Sequence, residues 1–261
     1  MLIFFLVSLC ASVVGAICGI GGGVIIKPVL DLLHLETVTT ISFLSGCTVL
    51  SMSCYSVVRA IQSGEKRVSL AVGTPLALGA AAGGLLGNRL FAVVRGMFED
   101  PNAVGSVQAA CLAVVTLGTL LYTVCKSRIH THRVESKAVC VCIGLMLGCM
   151  SSFLGIGGGP INLVVLYFFF SMETKTAAAN SLYIILFSQL ASLLVTLLGG
   201  SVPPFRPAVL ALMVAGGISG GMIGRSLNKR LDDRAVERLF IALMAVIIGI
   251  SVFNSWRYGT V

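Results

Sequence analysis

Long apolar segments alternate with short polar connections along the whole chain. Eight such segments are present, and they predict membrane helices because each holds enough apolar residues, with few or no charges, to cross a bilayer. They cover about residues 2–34, 38–61, 69–93, 103–125, 138–171, 175–198, 207–228 and 235–255. We therefore predict an all-α integral membrane protein of eight hydrophobic segments, whose surroundings are the lipid bilayer.

The first and fifth segments are interrupted by the same pattern, Gly-Ile-Gly-Gly-Gly, at 19–23 and 155–159. Each interior glycine costs a helix about 1 kcal/mol relative to alanine, so four in five residues predict a break. Broken backbone in a membrane needs protein or a water-filled cavity beside it. Matching breaks in two halves of a hydrophobic chain point to the substrate site of a secondary transporter. Close helix packing through small residues is the alternative explanation.

The two halves of the chain repeat one plan. Gly19 and Gly155 are 136 residues apart, and Glu36 and Glu173 are 137 apart. The third and seventh segments carry matching glycines at every fourth position, which predict a smooth face for close helix approach. These glycines are Gly79, Gly83, Gly87, Gly216, Gly220 and Gly224. We predict a duplication, with repeat one at 1–125, a basic cytoplasmic linker at 126–137 and repeat two at 138–261.

The positions of lysine and arginine favour one topology. If both broken segments cross the membrane fully, the 18 basic residues divide evenly between the two sides. If both dip in and return, 13 of the 18 collect on one side. Because cytoplasmic loops carry an excess of Lys and Arg, we predict two inverted repeats with re-entrant broken segments and cytoplasmic basic loops.

Composition excludes several classes of protein. With 57% hydrophobic and 11% charged residues, the chain has too few charges to cover a soluble surface. The net charge of +8 lies in short loops, so we predict no nucleic-acid partner. Nine cysteines form no CxxC pattern, and no metal or cofactor is expected. Gly217-Ile218-Ser219-Gly220 resembles an intramembrane serine protease motif, but no histidine follows it, so no enzyme is predicted.

A helix that restarts after a break offers unpaired N–H groups and a partial positive charge, which together bind anions. We expect the two restarts to converge on a small anionic substrate within a neutral, hydrogen-bonding shell. The predicted binding residues are Gly21, Gly22, Gly23, Gly157, Gly158, Gly159, Asn162, Lys27, Thr40, Ser45, Asn180, Ser181 and Gln189. For the polar residues, interhelical hydrogen bonds are the alternative role. For Lys27, the alternatives are a fixed charge near the anion and a side chain that snorkels to the interface.

Groups that could couple transport to protons are scarce. All ten Asp and Glu, Asp31 among them, lie in or near predicted loops, so we predict no carboxylate inside the membrane. Glu36, Glu173 and His34 lie nearest the breaks and are the coupling candidates, with helix N-terminal capping as the alternative role of the glutamates. A cation carrier or channel that uses backbone carbonyls is the alternative function, and the lack of an intramembrane acid argues against it.

The chain resembles the sulfite exporter TauE/SafE family, also called TSUP transporters, over nearly its whole length. The most specific stretches are Gly155-Ile156-Gly157-Gly158-Gly159-Pro160-Ile161-Asn162 and Thr176-Ala177-Ala178-Ala179-Asn180-Ser181. The resemblance implies transport of sulfite, sulfonate, sulfoacetate, thiosulfate or a similar anion across a bacterial or archaeal plasma membrane. The copies differ from the family pattern, with Lys27 before Pro28 and Pro160 where the first copy has Val24. A monomer suffices for this function, since the duplication lies within one chain.

Overall fold

The computed structural model describes residues 1–33, 35–64, 69–98, 101–126, 129–156 and 158–260. All regular structure in these ranges is helical. The helices are α1 (Leu2–Cys18), α2 (Gly23–Leu33), α3 (Val38–Gln62), α4 (Leu70–Gly96), α5 (Pro101–Cys125), α6 (Lys137–Leu154), α7 (Pro160–Phe170), α8 (Thr174–Leu198), α9 (Pro207–Arg230) and α10 (Asp233–Thr260). Seven of them are long and apolar enough to cross a membrane. The chain is therefore a multi-pass, all-α membrane protein, as predicted.

Most helices begin and end within a few residues of their predicted limits, because local signals set these positions. The side chain of Thr37 accepts a hydrogen bond from the N–H of Thr40 and caps α3. Proline occupies the first turn of α7 and of α9, where its missing N–H costs nothing. Left-handed glycines, Gly19 and Gly155, end α1 and α6. Eight predicted segments become ten helices because both Gly-rich motifs break their segments.

The glycine faces of α4 and α9 pack closely against other helices, as predicted. A Cβ on Gly83 would lie 2.0 Å from the carbonyl oxygen of Leu145 on α6. A Cβ on Gly220 would lie 2.6 Å from the carbonyl oxygen of Leu9 on α1. Since real side chains never approach so closely, only glycine permits these two backbone contacts. The first helix of each half therefore packs against the other half.

The other helices also pack mainly against helices of the opposite half. Helix α3 packs on α9 as α8 packs on α4, and α2 packs on α10 as α7 packs on α5. Two central pairs, α3 with α8 and α5 with α10, join the halves. This is the pattern that two interlocked copies, α1–α5 and α6–α10, would produce. The duplication itself and its boundaries stay a prediction.

Side-chain contacts sort the helix termini into two ends of the bundle. At the first, named here the Thr40 end, Thr40 Oγ1 donates to the carbonyl of Pro204 (3.1 Å). At the same end the guanidinium of Arg257 donates to the carbonyl of Leu32 (3.2 Å). At the opposite end, named here the Lys126 end, Lys126 forms an ion pair with Glu237.

Each broken segment returns to the end at which it began. The residues before α6 pair with the last residues of α7, since the N–H of His132 donates to the carbonyl of Phe168 (2.7 Å) at the Lys126 end. At the Thr40 end, Phe4 near the start of α1 and Leu30 near the end of α2 share one buried cluster with Val209. The two hairpins thus enter the bundle from opposite ends, as re-entrant, inverted segments would.

Candidate functional site

The first break turns the chain back against its own helix. Gly19 ends α1 with φ 74° and Gly21 has φ 75°, a left-handed conformation that favours glycine at both positions. A Cβ on Gly15 would lie 2.7 Å from the carbonyl carbon of Gly21. The chain after Gly19 therefore runs back along α1, and α2 begins at Gly23 in the middle of the bundle.

The second break has the same form. Gly155 ends α6 with φ 64°, and Gly158 has φ 122° with its backbone against the side chain of Ile185. Gly159, in extended conformation, is the N-cap of α7, and Pro160 follows it. The predicted binding residue Gly157 lies outside the described residues. Both predicted breaks are thus present in the structure.

The two breaks touch each other. A Cβ on Gly23 would lie 2.0 Å from the carbonyl oxygen of Ile156, between the two halves. A Cβ on Gly155 would in turn lie 2.7 Å from Ser42 Oγ and 3.1 Å from Lys27 Nζ. The first residue of α2 therefore lies against the second break, four residues before α7 begins at Pro160. Helix starts of this kind leave N–H groups without a partner inside the helix. Contact between the two breaks agrees with the sequence analysis, and convergence of the two helix starts on one ligand stays a prediction.

Buried hydroxyl groups surround this contact, and several make no hydrogen bond within the described residues. Ser45 is fully buried, and its Oγ lies 3.0 Å from the Cβ position of Gly23. Ser12, also fully buried, lies 3.1 Å by its Oγ from the Cβ position of Gly22. Asn162 is buried in the first turn of α7, and Ser181 is buried on α8 between Ala178, which contacts Gly19, and Ile185, which contacts Gly158. Ser181 Oγ and Asn162 Oδ1 make no hydrogen bond within the described residues either. Unpaired buried polar atoms are costly, so their accumulation here indicates a place for a polar ligand.

Lys27 lies in the protein interior, 3% exposed. Its ammonium donates to the carbonyl oxygen of Leu154 at 3.0 Å and to Gln108 Oε1 at 2.5 Å. The amide of Gln108 donates in turn to the carbonyl oxygen of Phe153 (2.6 Å). A cation at the C-terminus of α6 is favoured by the partial negative charge there. The snorkelling alternative for Lys27 is wrong, because its ammonium ends inside the bundle beside the second break.

Asp31 corrects a prediction. It was placed near a loop, but it lies on α2 one turn after Lys27 and is 5% exposed. Its Oδ1 has no hydrogen-bond partner in the described ranges, and it lines a cavity between α2, α5 and α10 together with Ser251 and Asn254. A carboxyl group therefore does lie inside the bundle. The argument against a cation carrier consequently rests on Lys27, whose positive charge lies one helical turn away.

Other predicted binding residues have structural partners. Thr40 bonds to Thr37 and Pro204 at the start of α3. Asn180 accepts a hydrogen bond from the N–H of Ser69 (3.0 Å), just before α4. Gln189 is buried, and its Oε1 lies 3.0 Å from the Cβ position of Gly46. The structure thus ties Thr40 and Asn180 to helix starts and leaves Ser45, Ser181 and Asn162 beside the breaks.

The coupling candidates lie at helix ends. Glu173 is exposed at the start of α8 and makes no side-chain cap. Glu36 precedes Thr37, which is the residue that caps α3. Glu173 does occupy the N-cap position of α8, where its charge suits the helix dipole, although its side chain makes no capping hydrogen bond. His34 lies outside the described residues. Among the residues that the structure describes, no three His, Cys, Asp or Glu side chains come together as metal ligands would.

Sequence reasoning missed Ser12, Gln108 and Asp31. Ser12 precedes the first Gly-rich motif by two helical turns, and Gln108 is an isolated polar residue in an apolar helix. Both signals were visible, because a polar residue in an otherwise apolar membrane segment is expected to face the bundle interior. The bonding partners of such residues cannot be read from the sequence. Gln108, for example, bonds to Lys27, which lies 81 positions away in the chain.

Comparison with known proteins gives one match. The sequence profile of the family described as "Sulfite exporter TauE/SafE" matches residues 4–252. No curated protein and no solved structure matches the chain. The matched range includes both breaks, so the family identification rests on nearly the whole sequence and not on a single motif. The chain belongs to the sulfite exporter TauE/SafE family of membrane transporters.

Proposed function

We propose that this protein is a secondary transporter that moves a small anion across the plasma membrane by alternating access. Sulfite, a sulfonate, sulfoacetate or thiosulfate is the substrate class that the family implies. The observation that carries the proposal is the contact between the two breaks at Gly23 and Ile156, surrounded by buried hydroxyl groups without partners. The anion would bind there.

The chemistry of this place suits an anion. Hydroxyl groups of Ser45 and Ser181, the first N–H groups of α2 and the N–H of Ile161, which is the first in α7 because Pro160 has none, are donors, and an oxyanion offers only acceptors. The glycines let the oxyanion approach the backbone closely. Lys27 adds a positive charge on the far side of Leu154, fixed by its hydrogen bonds. Together these groups replace part of the water that the anion loses on entering the membrane.

The arrangement of the hairpins supports alternating access. The α1–α2 hairpin returns to the Thr40 end and the α6–α7 hairpin to the Lys126 end, so a ligand between their tips lies between the two openings. Packing through glycine lets α4 and α9 shift along α6 and α1 without interlocking side chains. We propose that the Lys126 end is cytoplasmic, because the predicted basic loops lie there. One chain contains both hairpins, so a monomer suffices.

Transport of isotopically labelled sulfite into proteoliposomes tests the proposal. The wild type is expected to show saturable uptake and counterflow, whereas a channel shows neither. The variant Ser45→Ala/Ser181→Ala should lose most transport, because two donors to the anion are removed. Its stability should hold or rise, since each hydroxyl is a buried group without a partner.

A matched control comes from α5. Thr116 is also fully buried, and its hydroxyl also has no partner in the part of the chain that the structure describes. Because α5 packs chiefly on α10, Thr116→Val removes a similar hydroxyl away from the breaks and should leave transport unchanged. Equal transport by wild type and the double serine variant would refute anion binding at the breaks. Saturable uptake of Na⁺ in place of sulfite would refute an anionic substrate.

A further inference from the structure

A cleft opens at the Lys126 end of the bundle, between α1, α3, α8 and α9. It measures about 520 Å³, including the space at its open mouth. We call it the basic cleft, and its walls are Ala16, Ser56, Val57, Ala60, Lys175, Ala178, Ala179, Leu182, Arg225, Asn228 and Lys229. Nothing in the sequence pattern brought these residues together, because they come from four helices of both halves.

The charges on its walls are all positive. Lys175, Arg225 and Lys229 line the cleft, and no Asp or Glu does so among the described residues. Arg225 is held in place, since its guanidinium donates to the carbonyl oxygens of Ser56 (3.1 Å) and Arg59 (3.2 Å) at the end of α3. A concave surface with one sign of charge concentrates counter-ions from solution. The fixed guanidinium and two lysines therefore favour a small anion here.

The start of α8 adds to this field. Its first turns, with Lys175, Ala178 and Ala179, form one wall of the cleft, and a helix N-terminus carries a partial positive charge. The N–H of Lys175 already donates to Asp233 (3.1 Å). The carboxylate of Asp233 is thus bonded to the backbone of a residue that lines the cleft. The small side chains of the two alanines leave the space that a ligand would fill.

The first break lies next to the cleft, behind its wall residue Ala178. A Cβ on Gly19 would lie 2.2 Å from Cα of Ala178, so the break rests directly on α8. Asn228, on the opposite wall, donates from Nδ2 to the carbonyl oxygen of Ile17 (2.6 Å), in the last turn of α1. Two walls of the cleft thus contact the end of α1 and the first break.

We propose that the basic cleft is a second anion-binding site, in which a small oxyanion such as sulfite is held at the cytoplasmic face before it reaches the breaks. This proposal rests on the proposed transport function. It adds a second binding site and the face of the membrane from which the substrate enters. Loading from the basic side means that the protein collects its substrate from the cytoplasm. The three cations supply affinity, while the hydroxyls between the breaks supply the transport site itself.

Equilibrium binding of sulfite to the protein in neutral detergent, without lipid, tests this. The variant Lys175→Gln/Lys229→Gln should bind sulfite roughly tenfold more weakly, and its affinity should depend less on salt, because two screened attractions are gone. Transport at low sulfite should fall by a similar factor, with the rate at saturation retained. The control Arg234→Gln/Arg238→Gln removes the same charge from exposed residues that do not line the cleft, and should bind as the wild type does.

Two outcomes would overturn the cleft site without touching the transport function. One is equal sulfite affinity and equal salt dependence in the lysine variant and the wild type. The other is a difference that appears only in nanodiscs with anionic lipid, which would show that the lysines bind lipid headgroups. The serine variant described above tests the transport site separately. It should lose transport and keep the salt-dependent binding that the lysine variant loses.

Discussion

The ammonium of Lys27 lies 3.0 Å from the carbonyl oxygen of Leu154, so a charge on the first broken segment caps the helix that leads to the second break. The two residues are 127 positions apart in the chain. The contact joins the two hairpins at the point where both are interrupted. Because a membrane offers no water to replace it, this contact sets the position of one break relative to the other.

Loss of the Lys27 charge should destabilise the protein strongly. Lys27→Met leaves the carbonyl of Leu154 without its donor and removes the positive charge one turn from the buried carboxyl of Asp31, and each buried polar group left unsatisfied costs about 1–3 kcal/mol, more for a charged one. The midpoint of thermal unfolding in detergent should fall. Lys27→Met/Asp31→Asn should recover most of the loss, since no uncompensated charge remains. A single variant as stable as the wild type would contradict this account of Lys27.

Gly23→Ala should abolish transport. Its Cβ would lie 2.0 Å from the carbonyl oxygen of Ile156, so the two breaks must move apart. Sulfite flux in proteoliposomes should fall to the level of empty liposomes, while the protein still elutes as one species in gel filtration. Gly118→Ala is the control, because no atom lies within 4 Å of its Cβ position. Normal flux in Gly23→Ala would show that the contact between the breaks is dispensable.

The glycine face of α4 should tolerate no larger residue. Gly83→Ala places a Cβ 2.0 Å from the carbonyl oxygen of Leu145, and overpacking of this kind costs about 1–3 kcal/mol. We expect a lower unfolding midpoint. Gly249→Ala on α10 has open space at its Cβ position and should hold or gain stability. If both variants unfold at the same temperature as the wild type, the helices are not packed as described.

Asn180 should prove structural and not substrate-binding. Its Oδ1 accepts the N–H of Ser69, the N-cap residue of α4, and loss of such a bond costs about 1 kcal/mol. Asn180→Ala should lower the unfolding midpoint and leave the KM for sulfite unchanged. A KM raised several-fold at wild-type stability would instead return Asn180 to the binding site that the sequence predicted.

The sequence was sufficient for the helices and the breaks. Glycines, prolines and charges mark their limits locally, and the repeated Gly-rich motif predicts an interruption wherever the motif lies. The polar residues were harder, because their roles depend on partners far along the chain. Thr40 bonds to Pro204, 164 residues away, and Asn180 bonds to Ser69, 111 residues away. No local pattern separates these residues from Ser45 and Ser181, which the fold brings beside the breaks.

Asp31 shows the same limit. By position alone it lies two residues before the end of α2, a place that the sequence assigns to the edge of the membrane. Its burial results from α5 and α10, which cover α2 with Gln108 and Asn254. Burial of a side chain in a membrane protein depends on the neighbouring helices as well as on the position along the membrane normal. The sequence of one segment does not show which helices will pack against it.

The exchange of first helices between the halves has a consequence for biosynthesis. During translation, α1 enters the bilayer long before α9 exists, and its final partner is the glycine face of that later helix. Until then the face of α1 that packs on α9 has only lipid or transient companions. Assembly of the first hairpin is therefore delayed until almost the entire polypeptide has left the ribosome, and a truncation that removes α9 should send the remaining chain to membrane quality-control proteases.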